Sequence, residues 1–142
     1  MGFRFKPVYY WFAFFALTSL AYQLVQDNIR PNYNGGDLII KYILGIAPNF
    51  FPAIGIPALF VILIPEFNKG KSSNQWLNSK KNITANLISL TGLLSWEFLQ
   101  VTTTRGRFDW NDILWTLIGA LIFQLIWILS PIKYKGELEE SN

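Results

Sequence analysis

Residues 42–65 read YILGIAPNFFPAIGIPALFVILIP, 24 positions without a charge between Lys41 and Glu66. A helix crosses a hydrocarbon core of about 30 Å with roughly 20 mostly apolar residues, so this stretch is long enough. Within it, 54–64 (IGIPALFVILI) has no polar face, whereas a helix on a soluble protein alternates polar and apolar sides. A soluble bundle with buried helices is the competing account, and this stretch speaks against it.

Three further stretches repeat the pattern. Residues 7–26 carry no charge over 20 positions, 82–104 carry only Glu97 over 23, and 113–132 carry none over 20. The four stretches take up 87 of 142 residues, too large a share for one soluble domain to bury. Charged residues amount to 15%, against roughly 25% in soluble domains. The expected fold is all-α: a four-helix transmembrane bundle with spans near 8–26, 41–64, 82–103 and 111–131. These form one domain over 1–135, followed by a short acidic tail at 136–142. Tyr9, Tyr10 and Trp11 in span 1, and Trp110 and Trp115 in span 4, stand where an aromatic belt would sit. Span 1 has a second reading. Arg4 and Lys6 precede an apolar run ending in Ser19-Leu20-Ala21, the outline of a cleavable signal peptide. Its length and bulky aromatics favour an uncleaved span.

Lys and Arg set the orientation. Arg4, Lys6, Lys69, Lys71, Lys80, Lys81, Lys133 and Lys135 fall on one side, against Arg30, Lys41, Arg105 and Arg107 on the other. The richer side is cytoplasmic by the positive-inside rule, which puts both termini there and the protein in the cytoplasmic membrane as a multi-pass chain. The net charge of +3 then has anionic lipid headgroups as its counter-charge, and nucleic acid is not needed as a partner. There is no His and no Cys. That excludes disulfides, thiolate or imidazole metal sites, and Ser-His or Cys-His nucleophile pairs; no cofactor is implied.

Span 2 contains Pro48, Pro52 and Pro57. Each lacks a backbone donor and clashes with the carbonyl four residues back, so a kink or a short unwound turn is expected near Pro48-Asn49. Asn49, another helix or trapped water would satisfy the freed carbonyls. One reading is a broken helix lining a cavity, as at transporter sites. The other, favoured here, is a Pro-kinked helix that shapes the bundle.

The densest polar stretch is 95–119, SWEFLQVTTTRGRFDWNDILWTLIG. Glu97 lies seven residues before Thr104, about 10 Å inside span 3 at 1.5 Å per residue. A carboxylate at that depth is costly against lipid and should face the bundle with a partner. Gln100 shares its helix face at i+3. A short hairpin over 103–108 then brings Asp109 and Asp112, with Thr116 and Gly119 on the same stripe, alongside it. The expected result is one pocket near the outer face, holding Glu97, Gln100, Asp109 and Asp112, with Arg105 and Arg107 as cations. Small residues at Ala85, Ser89, Gly92 and Gly119 would let spans 3 and 4 pack closely. Plainer roles exist: Asp109 and Asp112 as N-cap and N3 carboxylates of span 4, the arginines as headgroup anchors, and Glu97 as one half of an ion pair fixing the hairpin.

This arrangement resembles the signature of the VanZ-like family of small bacterial membrane proteins. The resemblance is carried by Glu97 and Gln100, then Arg105 or Arg107, then Asp109 and Asp112, then Gly119-Ala120. It covers roughly 95–120 together with the four-span layout. The family usually has Asn where Thr116 stands, and span 2 offers no counterpart. The resemblance implies a bacterial cytoplasmic-membrane protein of the envelope. The family's namesake is associated with low-level resistance to the glycopeptide teicoplanin, and no molecular activity comes with the name.

Four functions compete. The first is a non-enzymatic protein whose outer pocket, with Asn49 nearby, binds a lipid or a lipid-linked or glycopeptide-like amphipathic ligand. The second is a small transporter, a homo-oligomer with Glu97 as the protonatable group and span 2 as the gate. The third is a lipid phosphoryl enzyme with Glu97, Asp109 and Asp112 around Mg²⁺. The fourth is a structural subunit.

Overall fold

A computed structural model describes residues 6–68, 74–103 and 108–136. The chain is all-helical, with four long helices and one short one. Helix α1 spans Pro7–Asn32 and α2 Leu38–Phe67, α3 is the short Gln75–Ser79, α4 is Lys81–Gln100 and α5 is Trp110–Leu129. A 3₁₀ turn at Ile132–Tyr134 closes the described chain. Of these, α1, α2 and α5 are long and apolar enough to cross a membrane. The sequence points to a fourth span where α4 lies. It has the length, 20 residues, but its amides, hydroxyls and Glu97 make it less apolar than the other three.

The helices start where local chemistry starts them. Pro7 opens α1 at a position whose N–H has no helical partner. Asp37 caps α2, its carboxylate accepting from the Ile39 and Ile40 amides at 2.8 and 3.3 Å. Asn74 and Asp109 do the same for α3 and α5. The polar loop expected over 66–81 contains α3, which is tied down by asparagines: the Asn68 amide donates to Asn74 O at 2.9 Å and to Asn78 Oδ1 at 3.2 Å.

Two helices depart from expectation. Helix α1 runs on past the expected end at 26. It widens into a π-helical stretch at Leu24–Ile29, then ends as Arg30–Asn32. Pro31 cannot donate to the turn before it, and the Asn32 side chain instead donates to the Asn28 carbonyl at 2.7 Å. In α2, where a kink or a short unwound turn is expected near Pro48-Asn49, the unwound turn does not occur. The helix is continuous for 30 residues with Pro48, Pro52, Pro57 and Pro65 inside it. Each proline costs one backbone bond rather than a turn, and the flanking turns are held by packing on several sides.

Helix α2 is the hub, packing against α1, α4 and α5. Two close approaches make this possible. A Cβ on Gly119 of α5 would lie 2.7 Å from Ala53 Cβ and 2.8 Å from Phe50 O. A Cβ on Gly55 of α2 would collide with the Thr18 hydroxyl, which is itself satisfied by the Phe14 and Phe15 carbonyls of α1. Gly119 therefore serves α2–α5 packing rather than the α4–α5 contact expected from sequence, and Gly92 is exposed with nothing near it.

The apolar core occupies the end of the bundle where the described chain begins and ends. Trp11, Ala58, Val61, Ile64, Ala85, Phe123 and Trp127 form it. Trp11 is 1% exposed, so it belongs to this core and not to an interfacial belt. Its ring stacks on Trp127 at 4.9 Å, and its Nε1 donates to the Tyr134 carbonyl at 2.8 Å. Tyr10 stacks on Tyr134 at 4.3 Å and shares a hydrogen bond with Ser130. The start of α1 and the C-terminal turn thus lie together at one end. The acidic tail beyond Gly136 lies outside the described residues.

Gly119→Ala is expected to force α5 off α2 and cost about 1–3 kcal/mol, the usual range for overpacking. Gly92→Ala should leave stability unchanged or slightly raised. Thermal unfolding of the two purified variants in one detergent, side by side, checks the contrast.

Candidate functional site

At the opposite end the four long helices part around a cleft of about 660 Å³, within the range of ligand-binding pockets. On α1, α2 and α4 the lining residues recur mostly at intervals of three or four, the spacing of one helical face. Helix α1 supplies Tyr22, Gln26 and Arg30. Lys41, Gly45, Pro48, Asn49 and Pro52 come from α2, and Leu93, Trp96, Glu97 and Gln100 from α4. The start of α5 adds Asp109, Asn111 and Asp112.

Glu97 sits deepest in chemical terms, at 3% exposure. One carboxylate oxygen accepts from Gln100 Nε2 at 3.1 Å. The other is buried with no hydrogen-bond partner among the described residues. Asp112 interacts with the Asn49 side chain across the α2–α5 gap and stands within electrostatic reach of Arg30 and Asp109. Asp109 is the N-cap, accepting from the Asn111 amide at 2.8 Å, so its plainer reading holds while it also lines the cleft. A short chain of bonds braces the rim: Trp115 Nε1 donates to Tyr42 Oη, which donates to Asn111 Oδ1, each at 3.0 Å.

Of the residues singled out from sequence, Glu97, Gln100, Asp109, Asp112 and Asn49 come together here. Thr116 does not line the cleft. It is 1% exposed, packed inside the bundle one turn below Asp112. Arg105 and Arg107 lie outside the described residues. Among the described residues the cations lining the cleft are Arg30 and Lys41, whose helices meet the polar cluster only in three dimensions. On α1, Tyr22, Gln26 and Arg30 follow one another at intervals of four, and Arg30 Nη1 donates to Gln26 Oε1 at 3.2 Å, but that spacing does not tie the arginine to the polar cluster. Among the described residues no three acidic side chains converge as a metal-binding group, so Glu97, Asp109 and Asp112 do not form the ion cage an Mg²⁺ site needs.

Below the cleft the α4 face continues as an amide seam. Asn82 Nδ2 donates to Gln124 Oε1 at 3.0 Å, Gln124 Nε2 returns to the Asn82 carbonyl at 3.2 Å, and Asn86 Nδ2 reaches the Ala120 carbonyl at 3.1 Å. This seam orients α4 and hence Glu97.

No protein-family model, curated protein or solved structure matches the chain. The VanZ-like resemblance therefore rests on the named residues alone.

Asp109→Ala should lose the α5 cap and about 1 kcal/mol of stability, while Asp109→Asn, which can still accept from the Asn111 amide, should keep most of it. Denaturation midpoints of both variants in detergent give the comparison. Equal loss in the two would show that charge, not capping, is what Asp109 supplies.

Proposed function

We propose that the protein is a four-span, VanZ-like membrane protein of the bacterial envelope that holds the polar head of an amphipathic ligand in the cleft. The ligand class is a lipid or a lipid-linked, cell-wall-related molecule. One observation carries this reading: a cleft of ligand size, lined by charged and amide groups from all four long helices, set in a bundle whose outward surface is apolar.

The case for α4 as the fourth span is its inverted polarity. Its buried positions include Asn86, Ser89 and Glu97, while Ile83, Leu87, Ile88, Phe98 and Leu99 are 44–59% exposed. A soluble amphipathic helix does the reverse. In lipid the arrangement is the favourable one, because polar groups are costly against hydrocarbon. Leu121, Leu125, Ile128 and Leu129 on α5 likewise point outward. The positive-inside count then puts the cleft at the external face, where an outer-leaflet headgroup enters it. The residues that carry the VanZ-like resemblance, Glu97, Gln100, Asp109 and Asp112, are also cleft residues, which supports reading the motif as a binding motif.

The alternatives have less behind them. A transporter gated by a broken span 2 lacks the break, since α2 is continuous. For a phosphoryl enzyme, no three carboxylates converge as an ion site among the described residues. Homo-oligomerisation is compatible with the binding reading and is not required by it.

Two measurements test the proposal. Because the chain has no Cys, single cysteines report topology cleanly: Asn34→Cys should react with a membrane-impermeant maleimide on intact cells, and Ser79→Cys only after permeabilisation. The reverse pattern would put the cleft on the wrong face. For binding, an Arg30→Ala/Lys41→Ala double variant should fold and yet retain several-fold less co-purifying phospholipid by native mass spectrometry. Unchanged retention would remove the cleft as the site.

A further inference from the structure

A second cavity, of about 240 Å³, runs between α1 and α2. Its lining is mainly apolar and includes Phe15, Phe51 and Ile56. Tyr22 and Pro52 line both this groove and the polar cleft, so the two spaces adjoin at those side chains. An occupant of both has one polar end and one apolar end, and the groove is continuous with the site already described.

Charge narrows the polar end. Arg30 and Lys41 approach from α1 and α2, Glu97 and Asp112 from α4 and α5. A purely anionic head would satisfy the two cations and meet repulsion from Glu97, Asp109 and Asp112. A purely cationic head would do the opposite. Glu97 adds an independent demand, since it is 3% exposed and its Oε2 has no hydrogen-bond partner among the described residues. A buried acceptor of that kind calls for a donor, and a ligand ammonium supplies up to three. Charge-assisted bonds of this type are the strong ones.

We propose that the cleft takes the headgroup of a zwitterionic aminophospholipid, its ammonium toward Glu97 and Asp112, its phosphate toward Arg30 and Lys41, and one acyl chain in the α1–α2 groove. This rests on the reading of the cleft as an amphiphile site and specifies which amphiphile fits.

The test uses the full-length protein in detergent, titrated by native mass spectrometry with phosphatidylethanolamine or phosphatidylglycerol of the same chains. Glycerophosphoethanolamine, the same head without chains, is the third probe. The ethanolamine lipid should be retained about tenfold over the glycerol lipid, the ratio one charge-assisted bond supports. Glu97→Gln should bring the two lipids within about twofold of each other. Where that variant aggregates, Asp112→Asn reads the same charge. Ser19→Trp, which fills the groove, should cut retention of the two-chain lipid while leaving weak binding of glycerophosphoethanolamine unchanged. Equal retention of the two lipids by the unaltered protein overturns the headgroup assignment and leaves the amphiphile reading standing. A groove variant without effect overturns the placement of the chain. Retention of neither lipid overturns both this inference and the reading beneath it.

Discussion

The whole arrangement depends on how closely α2 can be approached. Interhelical hydrophobic driving force is weak between helices already surrounded by apolar groups, so van der Waals fit and interhelical hydrogen bonds must supply the association. Gly55 lets the Thr18 hydroxyl of α1 settle onto α2, and Gly119 lets α5 settle against Ala53 and the Phe50 carbonyl. With α1 and α5 held on separate sides of α2 and α4 on a third, the aromatic core fills one end. The diverging ends at the other leave the cleft. Larger residues at those two positions would push α1 and α5 away from α2.

Polar groups follow from the same constraint. Where the outside is hydrocarbon, the inside becomes the only place an amide or carboxylate can find a partner. Helix α4 shows this along its length: Asn82, Asn86, Ser89, Glu97 and Gln100 fall on one face, and all but part of that set is paired. Asn82 and Gln124 satisfy each other, and Asn86 reaches a backbone carbonyl. Asn86 Oδ1 and one oxygen of Glu97 are both left without a partner among the described residues, and of the two it is Glu97 that lines the cleft. Packing and cleft lining are thus graded along a single helix face, with the paired amides at one end and Glu97 and Gln100 at the other.

Much of this was legible in the sequence, for identifiable reasons. Charge-free stretches betray long apolar helices directly, because length and composition are one-dimensional properties. Asp109 was readable as a cap because capping is local. Glu97, Gln100, Asp109 and Asp112 were readable as neighbours because a short hairpin joins their helices. Arg30 and Lys41 were not, since Arg30's approach to Asp112 and Lys41's place in the cleft depend on how α1 and α2 pack, and no local spacing encodes that. Trp11 misled for a related reason: a tryptophan near a span end suits an interface, yet here the C-terminal turn folds over it and buries it. Proline content left a kink and an unwound turn both open over α2, because the loss of single backbone bonds is visible in sequence while the packing that holds the remaining ones is not.

The π-helical stretch at Leu24–Ile29 has a consequence for how Arg30 is specified. In an ordinary helix, the eight residues from Tyr22 to Arg30 would carry the arginine about 80° past the tyrosine. A wider turn takes up that excess and keeps both on one side. The position of the cation is therefore set by the number of residues in that turn as much as by their identity. Losing a single residue there would return the segment to an ordinary helix, in which the seven remaining steps bring the arginine within about 20° of the tyrosine, so the charge would stay on the cleft side. A further inserted residue would have no such slack and would swing the charge by about 100°, so this segment has room to lose a residue and none to gain one.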